Sequence, residues 1–260
     1  MEYAVEMKGI CKSFGGVQAL KNVDLELRQG EIMGIVGDNG AGKSTLMKIL
    51  SGAYQADKGE VLIFGKHVEF HSPLDAFKLG ISMIYQDLAL FNNLDVAKNI
   101  FVGRELVRGP LGITLDNKSM YKRAEELIKD LRVDIKSPRL NVARMSGGQR
   151  QMVACARGIA FQSKIMILDE PTAALGVTEA NKLLSLIKNL KELGLSILLI
   201  TQRIPDILAI ADRVFVLKGG VRQDILNVRE TTLDDVVTLI VKGKEGRSEI
   251  VGDIEYKSFG

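Results

Sequence analysis

Two cysteines in 260 residues, Cys11 and Cys155, are too few and too far apart for a disulfide framework or a zinc cluster. That scarcity fits a reducing compartment. Histidine is equally rare: His67 and His71 sit together early in the chain, and none lies near the later motifs. No apolar run approaches the ~20 residues that span a bilayer. The opening MEYAVEMKG carries acids early and lacks the apolar core of a signal peptide. A transport role therefore calls for a separate membrane chain. Lys+Arg number 35 against 32 Asp+Glu, a balance that does not suggest a nucleic-acid partner. No internal repeat is visible. What is present, 46% hydrophobic residues over 260 positions, is enough to bury a substantial core in one large domain or a core with a subdomain.

The first thirty residues alternate in a strand-like way, with turn signals at Gly15-Gly16 and Gln29-Gly30. EIMGIVG reads as a short buried strand running into a glycine-rich loop, and residues 44–51 as the helix that follows. EVLIFGKHVEF at 59–70 reads as a hairpin turning at Gly65-Lys66. Helical spacing then dominates LDVAKNIFVG, NKSMYKRAEELIKDLR and SGGQRQMVACARGIA. An α/β order resumes: strand KIMILDE, helix 178–193 stopped by Gly194, and strands LSILLIT and DRVFVLK, with a last short helix in TLDDVVTLIV. The expected fold class is α/β, a helical insertion interrupting the core. The division expected is 1–86 core, 87–160 helical, 161–241 core, and a polar tail at 242–260 with no assigned role.

GDNGAGKST, Gly37 to Thr45, has the phosphate-loop spacing G-x-x-x-x-G-K-[ST] between a strand and a helix. Gly37, Gly40 and Gly42 let the backbone of Asn39 and Ala41 turn N–H groups inward as an anion nest, to which the helix adds its positive end. Lys43 supplies a full charge to the β- and γ-phosphates, Ser44 a hydroxyl to Mg²⁺, and Thr45 a contact to the α-phosphate. Asp169, at the end of KIMILDE, is placed to hold Mg²⁺, and Glu170 to orient and deprotonate an attacking water. No Asn-Lys-x-Asp guanine reader is present. Ser146 and Gln149 in MSGGQRQ form a capping box, so this segment opens a helix. Gly147 and Gly148 leave its first turn bare at a cost of ~1 kcal/mol each against alanine, which a second anion-binding site would justify.

Phosphate loop, LDEPT and MSGGQ together resemble the ATP-binding-cassette proteins over residues 3–241, the signature differing only at Met145. The resemblance implies a P-loop NTPase (RecA-like) core with an N-terminal antiparallel β subdomain and an inserted α-helical subdomain. It implies ATP and Mg²⁺. It also implies a head-to-tail dimer, in which Ser146, Gly147, Gly148 and Gln149 of one cassette cap the γ-phosphate held by the other. Phe14 matches the aromatic that stacks on adenine, although a strand aromatic in a small core is the alternative. Gln86 matches the glutamine that joins core to helical subdomain and senses Mg²⁺ and γ-phosphate. Residues 87–100 resemble the surface that receives a permease, with Phe91 and Leu94 as apolar anchors or as core.

The sequence departs from that family at two points. Gln202 stands where a histidine normally contacts the γ-phosphate, and Gly176 where an aspartate follows Ala-Leu. A glutamine amide donates a hydrogen bond but does not shuttle protons. Glycine at that place is similar to the ribose/xylose-type sugar importers. The implied role is an ATPase at the cytoplasmic face of the cell membrane. It would drive import of a small solute, a sugar, with a second cassette, permease subunits and, indirectly, an extracytoplasmic solute-binding protein, and without nucleic acid. An exporter subunit and a non-transport regulatory cassette stay open at this point.

Overall fold

A computed structural model describes residues 2–109, 113–161 and 163–244, so most of the polar tail lies outside the described residues. The chain opens with β1 (Tyr3–Phe14), β2 (Val17–Arg28), β3 (Ile32–Val36) and α1 (Lys43–Leu50). It continues through β4 (Lys58–Ile63), β5 (Lys66–Val68), α2 (Pro73–Lys78) and β6 (Ile81–Ile84). The middle third holds α3 (Val96–Phe101), a ribbon of β7 (Val107–Arg108) and β8 (Thr114–Leu115), α4 (Asn117–Asp130) and α5 (Gly147–Ile159). Then follow β9 (Ile165–Asp169), α6 (Val177–Glu192), β10 (Ser196–Ile200) and α7 (Ile204–Ile210). Last come β11 (Arg213–Lys218), β12 (Val221–Asn227) and α8 (Leu233–Val241).

These strands build two sheets. An antiparallel sheet has the order β2-β1-β4-β5, and a six-stranded sheet the order β12-β11-β3-β10-β9-β6. In the latter every pairing is parallel except β11 with β12. The apolar runs explain themselves here, because both faces of the parallel strands are covered. Ile32, Met166, Leu168, Ile197 and Leu199 point into a core shared with α3, α4, α5 and α6. Their neighbours Met33, Ile35, Ile165, Ile167, Leu198 and Ile200 point into a second core shared with α1 and the antiparallel sheet. The strand ends that carry the motifs are therefore fixed from both sides.

Two features differ from expectation. The β4–β5 turn lies at Phe64-Gly65, one residue earlier than expected. Both positions take positive φ, 49° and 73°, the backbone of a two-residue hairpin turn that matches strand twist. The insertion is not purely helical, since it carries the β7–β8 ribbon. Beside that ribbon, α2, β6, α7 and β12 had no reading of their own.

Candidate active site

β3 delivers the chain into the phosphate loop, and the loop's geometry admits only glycine at its tightest points. A Cβ at Gly37 would lie 2.0 Å from the Leu217 carbonyl oxygen, and one at Gly42 2.6 Å from that of Ala19, both at positive φ. The loop thus closes against β11 on one side and β2 on the other. Lys43, at the start of α1 and 8% exposed, turns back over the loop. Its Nζ donates to the carbonyl oxygens of Gly37 (2.5 Å) and Asp38 (2.9 Å).

One cavity of about 270 Å³ gathers Asn39, Gly40, Ala41, Gly42, Lys43, Ser44 and Thr45 with Gln86, Asp169, Glu170 and Gln202. Residues from β6's exit, β9's end and β10's exit therefore converge on the loop at the start of α1. Ala19, from β2, lines the same cavity and had no signal in the sequence beyond its strand. The donor set suits a magnesium nucleotide. Ser44, Asp169 and Gln86 offer oxygen ligands. No three His, Cys, Asp or Glu side chains converge as a metal cage among the described residues.

Glu170 is held under strain. It follows β9 with φ 49°, a left-handed conformation that side chains with a Cβ rarely adopt, and its N–H donates to Ile200 O (2.9 Å). Its carboxylate accepts the backbone N–H of Gln202 (3.3 Å). Burial raises its pKa above the ordinary glutamate value; the Gln202 N–H opposes this, and the charge of Asp169 adds to it. Burial raises Asp169 likewise, against the fields of Lys48 and Lys43, and lowers Lys43. A desolvated carboxylate beside a desolvated ammonium suits proton abstraction next to a polyanion. Gln202 takes up the histidine's expected place by a different bond: its Nε2 donates to Asn39 Oδ1 at 3.1 Å, tying β10's exit to the phosphate loop.

The remaining predicted residues lie elsewhere. Ser146 caps α5, its Oγ accepting from Gln149 N (3.3 Å) while Gln149 Oε1 accepts from Ser146 N (3.1 Å). None of Ser146, Gly147, Gly148 and Gln149 lines the phosphate cavity. Of the two glycines expected to await an anion, one has a packing reason instead. A Cβ at Gly148 would meet Glu179 Cβ at 2.9 Å, so close packing against α6 explains that glycine. Gly147 has only the flexible end of Leu175 near it, at 3.2 Å, and remains the bare position. Phe14 is 44% exposed, which excludes the core alternative, and its ring meets Tyr54 edge-on at 5.3 Å. It too stands outside the cavity.

A match to known proteins decides the family. The family model described as ABC transporter covers residues 20–173. The chain belongs to the ABC transporter family. It is 43% identical over 254 residues to the xylose/arabinose import ATP-binding protein XylG of Sulfolobus acidocaldarius, covering 96% of this chain and 99% of that protein. It is 41% identical to the fructose import ATP-binding protein FrcA of Rhizobium meliloti, covering 94% and 96%. Among solved structures, a dimeric ATP-binding cassette, MJ0796, bound to ADP and Pi superposes with a TM-score of 0.73. It is 28% identical and covers 87% of this chain and 100% of that one. The cassette cbiO1 of Clostridium perfringens, part of an ABC transporter complex, gives a TM-score of 0.78 at 26% identity, covering 96% and 99%. The fold is that of a P-loop ABC cassette, and the chain is an ABC-type ATPase.

Within this ABC cassette, two residues pin the segment after Glu170 that sequence reading passed over. Gln151, 7% exposed on α5, donates from Nε2 to Pro171 O at 2.7 Å. Thr172 Oγ1 donates to buried Asp206 on α7 at 2.8 Å. Gln151 stands one helical turn beyond Gly148, so it was available as an inward-facing polar residue of the signature helix. Ser146→Ala removes the α5 cap and is expected to lower stability by about 1 kcal/mol, read as a shifted urea midpoint at unchanged slope.

Proposed function

We propose that this chain hydrolyses ATP to drive import of a small solute, a sugar, through a separate permease at the cytoplasmic face of the membrane. The observation that carries the reading is the convergence of Lys43, Ser44, Gln86, Asp169, Glu170 and Gln202 on one cavity. The signature helix N-terminus, outside that cavity, is left for a nucleotide held by another subunit. Near-full-length likeness to proteins named for xylose/arabinose and fructose import supports a sugar and favours import over export. No helix among the described residues is long and apolar enough to cross a membrane, and the proposal assigns the membrane passage to a separate permease.

In this proposal the triphosphate lies along residues 37–45 and Lys43 exchanges its two carbonyl partners for β- and γ-phosphate oxygens. Ser44, Asp169 and Gln86 would hold Mg²⁺, which when bound neutralises phosphate charge. Glu170 orients the attacking water and accepts its proton. Gln202 fixes the lip of the site through Asn39. Phe14 stacks on the adenine ring. Ser146, Gly147 and Gln149 of a second cassette, an identical copy or a different one, cap the γ-phosphate, with Gly148 keeping α5 close to α6. ATP thereby closes the pair and hydrolysis reopens it. Residues 87–160 act as the signature unit between the two halves of the core. A solute-binding protein outside the cell and the permease would choose the solute.

Co-purification from native membranes tests the reading: a permease should accompany the chain and accelerate its ATP turnover. Isolation of the chain with soluble partners alone would end it. Gln202 bears on speed. Lacking a proton-shuttling imidazole, the native site is expected to turn over slowly, and Gln202→His to accelerate steady-state hydrolysis by about 10²-fold or more. Equal rates would mean the amide suffices.

A further inference from the structure

Phe14 closes the β1–β2 hairpin opposite Val17, across a turn made only of Gly15 and Gly16. A two-glycine tip restrains a ring poorly, since neither residue carries a side chain and nothing lies within 4 Å of where either Cβ would stand. Among the described residues, neither hydrophobic core includes Phe14 or its edge-on neighbour Tyr54, which is 37% exposed. Their meeting is therefore not a by-product of core packing. Tyr54 reaches the hairpin tip from a separate loop, residues 51–57, between α1 and β4.

That loop is itself fixed at three places. Gly52, at φ 73°, turns the chain out of α1 where a Cβ would lie 2.5 Å from the Ser72 carbonyl oxygen. The N–H groups of Ala53 and Tyr54 both donate to Lys48 O, at 2.8 and 3.1 Å. At the far end Asp57 grips the last residues of β1. Its carboxylate accepts Lys12 Nζ (2.7 Å) and the Ser13 N–H (2.6 Å), and its own N–H donates to Cys11 O (2.9 Å). The Lys12 bond first, then that of Ser13, holds the Asp57 carboxyl below the usual aspartate range, so the grip is charged at neutral pH. Two lysines flank the aromatic pair. Lys12 Nζ lies 5.5 Å from the centre of the Phe14 ring and Lys48 Nζ 5.2 Å from that of Tyr54, both within cation–π reach. Lys48 stands four residues after Ser44 on α1, so one helix carries both the phosphate-binding residues and the support of Tyr54. The Tyr54 hydroxyl forms no hydrogen bond among the described residues, which leaves the ring itself as its means of contact.

We infer that Tyr54 is a positioning residue for the nucleotide base: its edge-on contact holds Phe14 in the orientation that adenine meets, and joins the base end of the site to α1 and so to the phosphate loop. The inference rests on Phe14 as the adenine platform. A ring set in place before binding loses less freedom when the base arrives, and an aromatic pair of this geometry is worth a modest factor in affinity. Calorimetric titration of the full-length chain tests it, with ATP and with inorganic tripolyphosphate, both without Mg²⁺ so that no turnover intervenes. Tyr54→Leu should weaken ATP binding by about 2–10-fold and leave tripolyphosphate, which has no base, at native affinity. Tyr54→Phe, which keeps the ring, should bind ATP as the native chain does.

Phe14→Leu should weaken ATP at least as much, and Tyr54→Leu added to it should cost nothing further, because the residue it positions is gone. An equal loss toward tripolyphosphate shows damage reaching the phosphate loop and overturns the proposal. So does an equal loss in Tyr54→Phe, or full additivity with Phe14→Leu. Native ATP affinity in Tyr54→Leu beside a weakened Phe14→Leu overturns it too, and leaves Phe14 as the platform. Native affinity in Phe14→Leu itself removes the adenine reading of Phe14, and this inference with it.

Discussion

Glu170→Gln is expected to lower steady-state ATP hydrolysis by about 10²–10⁴-fold while nucleotide affinity is kept. The amide preserves shape and still accepts the Gln202 N–H, but it takes no proton from water. With ATP and Mg²⁺ the variant should accumulate as a closed dimer, and adding Ser146→Ala or Gln149→Ala should release it to monomer. Light scattering reads that result. A strictly monomeric Glu170→Gln protein, with Ser146 irrelevant to nucleotide retention, removes the shared-site mechanism.

The same variant carries a stability signature. Because burial raises the Glu170 pKa above its unfolded value, the charged form penalises folding at neutral pH, and the penalty fades as pH falls through the raised pKa. Glu170→Gln should therefore melt higher than the native protein at pH 7, with the difference shrinking toward pH 4.5, near the ordinary glutamate value. A difference that grows on acidification would contradict the sign.

Lys43→Met should weaken ATP binding by about 30–10³-fold, the loss of roughly 2–4 kcal/mol of charge-assisted hydrogen bonding. The ammonium is already desolvated and aimed across the loop, held by Gly37 O and Asp38 O, so little reorganisation separates its present partners from phosphate oxygens. Methionine retains the stem's packing, which separates lost charge from lost volume. Burial lowers the Lys43 pKa, so its charge also costs stability at neutral pH. The variant should consequently remain folded while binding fails, measured by titration with a fluorescent ATP analogue. Affinity within threefold of native would place the phosphates away from Lys43.

Legibility in the sequence followed the range of each interaction. Gly37–Thr45 and the Ser146/Gln149 box declare themselves because a few consecutive residues satisfy their own geometry: positive φ at the loop glycines, and reciprocal side-chain and backbone bonds over three positions. β3, β9 and β10 were readable as unbroken apolar runs, since both faces are covered. β6 and β12, the outer strands of the six-stranded sheet, were not: one is four residues long and the other, VRQDILN, has neither an unbroken apolar run nor a regular alternation. Helix α7 is seven residues long with Pro205 in its first turn, too short for periodicity to register.

What sequence alone determined is which groups this chain brings to a site: a glycine-rich loop carrying Lys43 and Ser44, the adjacent carboxylates Asp169 and Glu170 at the end of an apolar strand, and a capped helix at Ser146. Tertiary structure alone decided where these meet. It placed Gln202 on Asn39 across 163 residues, twisted Glu170 into a left-handed backbone under Ile200, and gave Gly148 a packing reason in Glu179. Those outcomes depend on strand order in the sheet, and strand order is set by which long-range faces bury together, a quantity no window of neighbouring residues contains.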